Sequence, residues 1–114
     1  MTKYLISFPS AAMAQLTDEQ LVAASMDTRR IVEEAKAAGV WFFGGAIDDS
    51  LPPESVGIDG TVTSGDDAPV RQLDGGFTLL ELPSIDEARD WAAKFAAACQ
   101  CAQEVRAFHY DPAS

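Results

Sequence analysis

Gly75–Phe95 reads GGFTLLELPSIDEARDWAAKF. Within it, Phe77–Leu82 is an apolar run broken only by Thr78 and Glu81, and Pro83 ends it. Ser84 then stands three residues before Glu87, the spacing at which a hydroxyl and a carboxylate reciprocally satisfy the free N–H groups of a helix's first turn. The stretch therefore predicts a buried strand, a tight turn and a helix whose inward stripe is Ile85, Ala88, Ala92, Phe95, Ala96 and Cys99.

Outward from this stretch the pattern repeats. Lys3–Phe8 alternates, is rich in β-formers and stops at Pro9, which predicts a first strand. Thr17 and Gln20 form a second capping box, so a helix should begin at Asp18, bury Leu21, Ala24, Thr28, Ile31, Ala35 and Ala38, and end at Gly39. Val40–Ile47 (VWFFGGAI) is apolar without alternation, the pattern of a strand covered on both faces. Asp48–Asp74 is rich in loop formers, with Ile58–Thr63 as one arm of a hairpin, and Gln103–Tyr110 gives a last strand.

Four main strands and two helices of similar size cannot close a doubly wound parallel sheet. They fit an α+β fold, a ferredoxin-like split βαβ with an inserted hairpin and both helices on one sheet face. Tyr4, Ile6, Phe8, Trp41, Phe43, Leu79 and Phe108 cannot all lie under two helices, so the second face should be apolar. Soluble monomers rarely expose such a face. A homodimer pairing these faces into an α+β barrel is the simplest cover, and its interior can hold a small ligand.

The chain has 114 residues, enough for one core, so residues 1–114 are expected to form a single domain. Its net charge of -10 disfavours nucleic acid and anionic membrane surfaces, both of which recruit clustered Lys and Arg. No apolar run approaches the roughly 20 residues of a spanning helix, and Tyr4–Pro9 is too short for a signal-peptide core, so a cytoplasmic location is expected. Cys99 and Cys101 are too close for an unstrained bridge and are expected as free thiols.

His109 is the sole histidine, hence the side chain best suited to proton transfer near neutrality, although a frayed solvent-facing imidazole is the commoner situation at a strand end. Glu104 and Arg106 lie two apart on a strand and share a face. If that face lines a dimer barrel, Arg106 can clamp a ligand carboxylate while Glu81 or Glu104 orients it or acts as base; if it faces outward, they are a surface ion pair. Ser7 can add a hydroxyl, and Trp41 can floor a pocket for a planar ligand or simply pack in the core. Asp66, with Asp67, lies in a Gly-rich loop without calcium-loop spacing, and a lone His makes no metal site. Gly44-Gly45 opens no helix and Gly75-Gly76 precedes a strand, so neither cradles a nucleotide, and no cofactor is expected.

The order MTKYLIS, AAGVWFFGGAI, TVTSG, LDGGFTLLELPSIDEARDWA, EVRAFHYDP resembles the YCII-related proteins, in particular the DGPF-domain branch, over nearly the whole chain. The resemblance implies a dimeric α/β barrel of ferredoxin-like protomers, related in shape to muconolactone isomerases and small heme- or oxygen-handling enzymes. The branch's Asp-Gly-Pro-Phe-Ala-Glu motif falls on Ser64–Pro69, where Gly65 and Ala68 match, and Asp66 or Asp67 is the candidate for the displaced acid. A smaller branch of the family places a His near Asp27 or Thr28, which this chain lacks. The resulting expectation is a homodimer that binds, or binds and transforms, a small organic acid through Arg106, Glu104 and their neighbours. The alternative is a non-catalytic interaction module that uses the acidic loop 48–74.

Overall fold

The computed structural model describes residues 1–64 and 73–114. Its elements are β1 (Thr2–Phe8), a 3-10 turn (Ser10–Met13), α1 (Asp18–Ala37), β2 (Trp41–Ala46), β3 (Glu54–Val56), β4 (Val62–Ser64), β5 (Gly76–Leu82), α2 (Ile85–Cys99) and β6 (Glu104–Ala107). Four strands form one sheet in the order β2-β5-β1-β6 with every pairing antiparallel, and β3 and β4 form a separate hairpin. The fold is α+β, two helices packed on an antiparallel sheet, and is consistent with the ferredoxin-like arrangement expected from sequence.

Both helices start where the sequence places them, but their caps differ. At α1 the full box forms: Gln20 N–H donates to Thr17 Oγ1 at 3.2 Å, and Thr17 N–H donates to Gln20 Oε1 at 2.8 Å. At α2 Glu87 N–H donates to Ser84 Oγ at 3.2 Å, while the return bond from the Glu87 carboxylate is not made, so half of the expected box is present. Gly39 follows α1 at φ +75°, as expected of a residue closing a helix. α2 ends instead on Gln100 at φ 57°, a left-handed conformation in a residue with a Cβ.

Strand parity sorts the sheet. Tyr4 and Ile6 of β1 pair with Leu80 and Thr78 of β5 and point toward the helices, where Tyr4, Ile6, Leu80 and Leu82 pack with Ala35, Ala88, Ala92 and Phe95. Alanines on the helices let the two layers approach closely. Each of the fully buried Ile6, Leu80 and Leu82 contributes about 1.5–3 kcal/mol by leaving water. In the α2 stripe Ala98 is buried, whereas Ala96 is partly exposed and Ile85 is exposed.

Three expectations are corrected. β2 is an edge strand with Phe42 and Phe43 exposed, not a strand covered on both faces within one chain. A register shift between Trp41 and Phe43 explains its unbroken apolar pattern, since a bulge sends consecutive residues to unexpected sides. The last strand stops at Ala107, leaving His109 and Tyr110 outside the sheet. The hairpin uses Glu54–Val56 against Val62–Ser64, and Ile58 sits at its turn rather than in an arm. There Gly60 at φ +85° and the bond from Thr61 N–H to Asp59 Oδ1 close the loop.

Gly75 fixes the entry into β5. Its φ is +85°, and a Cβ there would lie 2.0 Å from the Phe8 carbonyl oxygen. Its own carbonyl accepts the Ile47 N–H at 2.8 Å, so one residue ties the ends of β1, β2 and β5 together.

Candidate functional site

The side chains pointing away from the helices form three rows across the strands. Pairing registers place Gly45, Phe77, Ser7 and Glu104 in one row, and Phe43, Leu79, Leu5 and Arg106 in the next. Glu81 and Lys3 make a third, extended by Phe108, whose N–H donates to the Lys3 carbonyl at 3.0 Å. Large apolar groups occupy the middle of this open face and charges lie toward its ends. Phe42 is 57% exposed, Phe43 53% and Phe108 47%, with the Phe43 and Phe77 rings 6.1 Å apart.

Ser7, Glu104 and Arg106 come together as expected, with Asp74, around a depression of about 580 Å³ at one end of the open face. Arg106 Nε contacts Glu104 Oε1 at 3.1 Å, with both side chains more than half exposed, and Ser7 is buried. An ion pair so wetted contributes about 0–1 kcal/mol, so a ligand carboxylate can replace Glu104 on the guanidinium at little cost.

Glu81 and His109 are not in this cluster. They line a depression of about 380 Å³ with Phe42 and Lys3, at the other end of β1. The four-residue step from Ser7 to Lys3 separates the two by roughly 13 Å along the strand. Lys3 Nζ contacts Glu81 Oε2 at 3.8 Å and sits 5.1 Å above the Phe42 ring. Glu81 thus balances Lys3 rather than orienting a ligand on Arg106, and His109 is exposed beyond the last strand. Asp66 and Asp67 lie outside the described residues. Asp48 serves its own turn, accepting from Ser50 Oγ at 2.6 Å and Ser50 N–H at 3.0 Å, and these bonds hold its carboxyl below the usual range. Among the described residues no three His, Cys, Asp or Glu side chains are grouped to hold a metal, and no helix is long and apolar enough to cross a membrane.

Trp41 is on the opposite side of the sheet, where it lines a cavity between α1 and the strands together with Thr28, Arg29, Thr78 and Cys99. Sequence reasoning assigned these four no ligand role. The available signal was glycine inside strands, Gly44 in β2 and Gly76 in β5, which marks close approach or missing side-chain volume. Cys99 Sγ lies 3.2 Å from Thr28 Oγ1 and links α2 to α1. Burial pushes the Cys99 thiol up despite that hydrogen bond, and burial and then the neighbouring Cys99 push Cys101 up. Both cysteines are free, and at neutral pH both are protonated and poor nucleophiles.

No protein-family model matches this chain, and no curated protein is significantly similar to it. The likeness to YCII-related proteins therefore stands on the residue pattern alone. The chemistry these side chains offer is recognition: an arginine with an exchangeable partner, a hydroxyl and an apolar floor.

Proposed function

We propose that the protein is a homodimer closed over the open face of its sheet, and that the enclosed space binds a small organic acid at Arg106. The observation that supports this reading is the apolar belt of Leu5, Phe43, Phe77 and Leu79, edged by Arg106–Glu104 and Lys3–Glu81, on a face opposite both helices. A second copy of the same face is self-complementary by symmetry, and its approach removes water from Arg106, strengthening its grip on a carboxylate.

Sedimentation of the wild-type protein at micromolar concentration is expected to give twice the chain mass, and Phe43→Asp a folded monomer. A wild type that stays monomeric overturns the dimer. Arg106→Ala is expected to abolish binding across a library of small carboxylates, and unchanged binding removes the site assignment. The reading of an interaction module has its own support in Leu51, Val56, Ile58 and Val62, exposed on and beside the hairpin. A dimer that binds no member of the library, and keeps its mass when Val56 and Ile58 become Ser, favours that second reading, in which the loop meets a separate partner.

A further inference from the structure

We propose that the cavity between α1 and the sheet is a second binding site, for a carboxylic acid with an apolar, planar body and one oxygen function along it. The cavity measures about 540 Å³, within the range of small-molecule sites, and lies on the helix-covered side, away from Arg106. Two glycines let its aromatic walls lie against the sheet. On the helix side of β2 and β5, Gly44 stands opposite Thr78 and Ala46 opposite Gly76, where a packed sheet would carry branched residues. Aromatic rings close over both glycines. A Cβ on Gly44 would meet Trp41 Cη2 at 2.6 Å, and one on Gly76 would meet Phe8 Cζ at 2.7 Å. The space between is therefore a slot with aromatic walls, roofed by Leu21, Ala24 and Val32 of α1.

Two polar groups give the slot its chemistry. Thr78 Oγ1, in its floor, is buried and has no hydrogen-bond partner among the described residues. A buried hydroxyl left unpaired is costly, and a ligand hydroxyl or carbonyl would satisfy it. Arg29 lies at the exposed rim. Among the described residues Lys3, Arg30, Lys36, Arg89, Lys94 and Arg106 each contact a carboxylate, and Arg29 alone does not. In a chain of net charge -10, a guanidinium without a carboxylate is the exception. An anion on Arg29, an apolar ring between Trp41 and Phe8, and an oxygen at Thr78 describe one ligand.

The test is calorimetric titration of the full chain with para-hydroxyphenylpropanoate, phenylpropanoate and para-hydroxyphenylpropanamide. The hydroxylated acid is expected to bind saturably and more tightly than phenylpropanoate, and Thr78→Val to erase that preference. Measured in an Arg106→Ala background, so that acid held on the open face does not contribute, Arg29→Gln should weaken both acids at least tenfold and leave the amide unchanged. Urea unfolding of each variant confirms that the fold is kept. Absence of saturable binding of either acid up to millimolar concentration overturns the proposal. So does saturable binding that appears only while Arg106 is present, or binding in the Arg106→Ala background that ignores Arg29→Gln.

Discussion

On the helix-covered face of the sheet Tyr4, Ile6, Leu80 and Leu82 are sealed by helices that present alanine, whereas on the other face Phe42 and Phe43 of β2, with Phe108 just past β6, stand about half exposed. The strands supply both faces with apolar side chains, so hydrophobicity alone does not say which side is core. The helices decide it. Ala35, Ala88 and Ala92 allow two helices to sit close over one side, and no third layer exists among the described residues to cover the other. The molecule therefore carries a finished core and an unfinished one back to back. The finished side keeps one gap, at the glycines of β2 and β5.

The sharpest way to break this contrast is to truncate adjacent leucines of β5. Leu80→Ala opens a cavity in the finished core and is expected to cost about 3 kcal/mol in urea unfolding, the same at every protein concentration. Leu79→Ala removes the same atoms from the open face, where Leu79 is only part-buried in the single chain. Its cost is expected to be about 1–2 kcal/mol and to grow with protein concentration, because the part of the burial supplied by a second copy follows mass action. Equal, concentration-independent losses would mean that the open face is closed by the chain itself.

Much of this division was legible in the sequence. The capping residues Thr17 and Ser84, the stop at Gly39 and the strand-like runs gave both helix starts and the succession of the main strands along the chain, because those signals act over three or four residues. Strand parity placed Glu104, Arg106 and Ser7 together. What failed depended on distant partners. The bulge at Trp41/Phe43 is a register event between β2 and β5, and no local pattern announces it. The position of Glu81, opposite Lys3 rather than near Arg106, follows from cross-strand register in the same way. Arg29 carries no local signal, since standing without a carboxylate among the described residues is a property of the folded surface.

The two helix starts offer a smaller comparison. Replacing Thr17 and Gln20 together with Ala dismantles both bonds of a complete box and is expected to cost about 1–1.5 kcal/mol, and Ser84→Ala, which loses a single bond, about 0.5–1 kcal/mol. Equal losses in thermal or urea unfolding would show that the reciprocal bond from Thr17 N–H to Gln20 Oε1 adds nothing.

Cys99 extends the contrast to pH. Its thiol is held protonated by burial on the finished side, so the folded pKa lies above the unfolded value of about 9.0. The folded chain then binds more protons than the unfolded chain as pH rises past that value, and stability must fall there. Between pH 7 and 8 the thiol contributes no slope. A stability profile that declines above pH 9 in the wild type and declines less steeply in Cys99→Ala, where Cys101 still contributes, is the expected result, and identical slopes would remove the Cys99 thiol from the account.

The smallest effect is expected at the far end of α2, where the two helices again differ. α1 closes on glycine, while α2 closes on Gln100 at φ 57°. A left-handed residue with a Cβ costs roughly 1–2 kcal/mol, which Gln100→Gly would relieve. Against this, glycine has more freedom to lose on folding, worth about 0.5–1 kcal/mol. The terms oppose, and the balance is a gain of about 0.5 kcal/mol, detectable as a higher urea midpoint with unchanged slope. The Gln100 backbone bond to the Ala96 carbonyl is retained in the variant, so the measurement isolates the conformational cost. A loss of stability would mean that the Gln100 side chain holds the turn into Cys101 and β6.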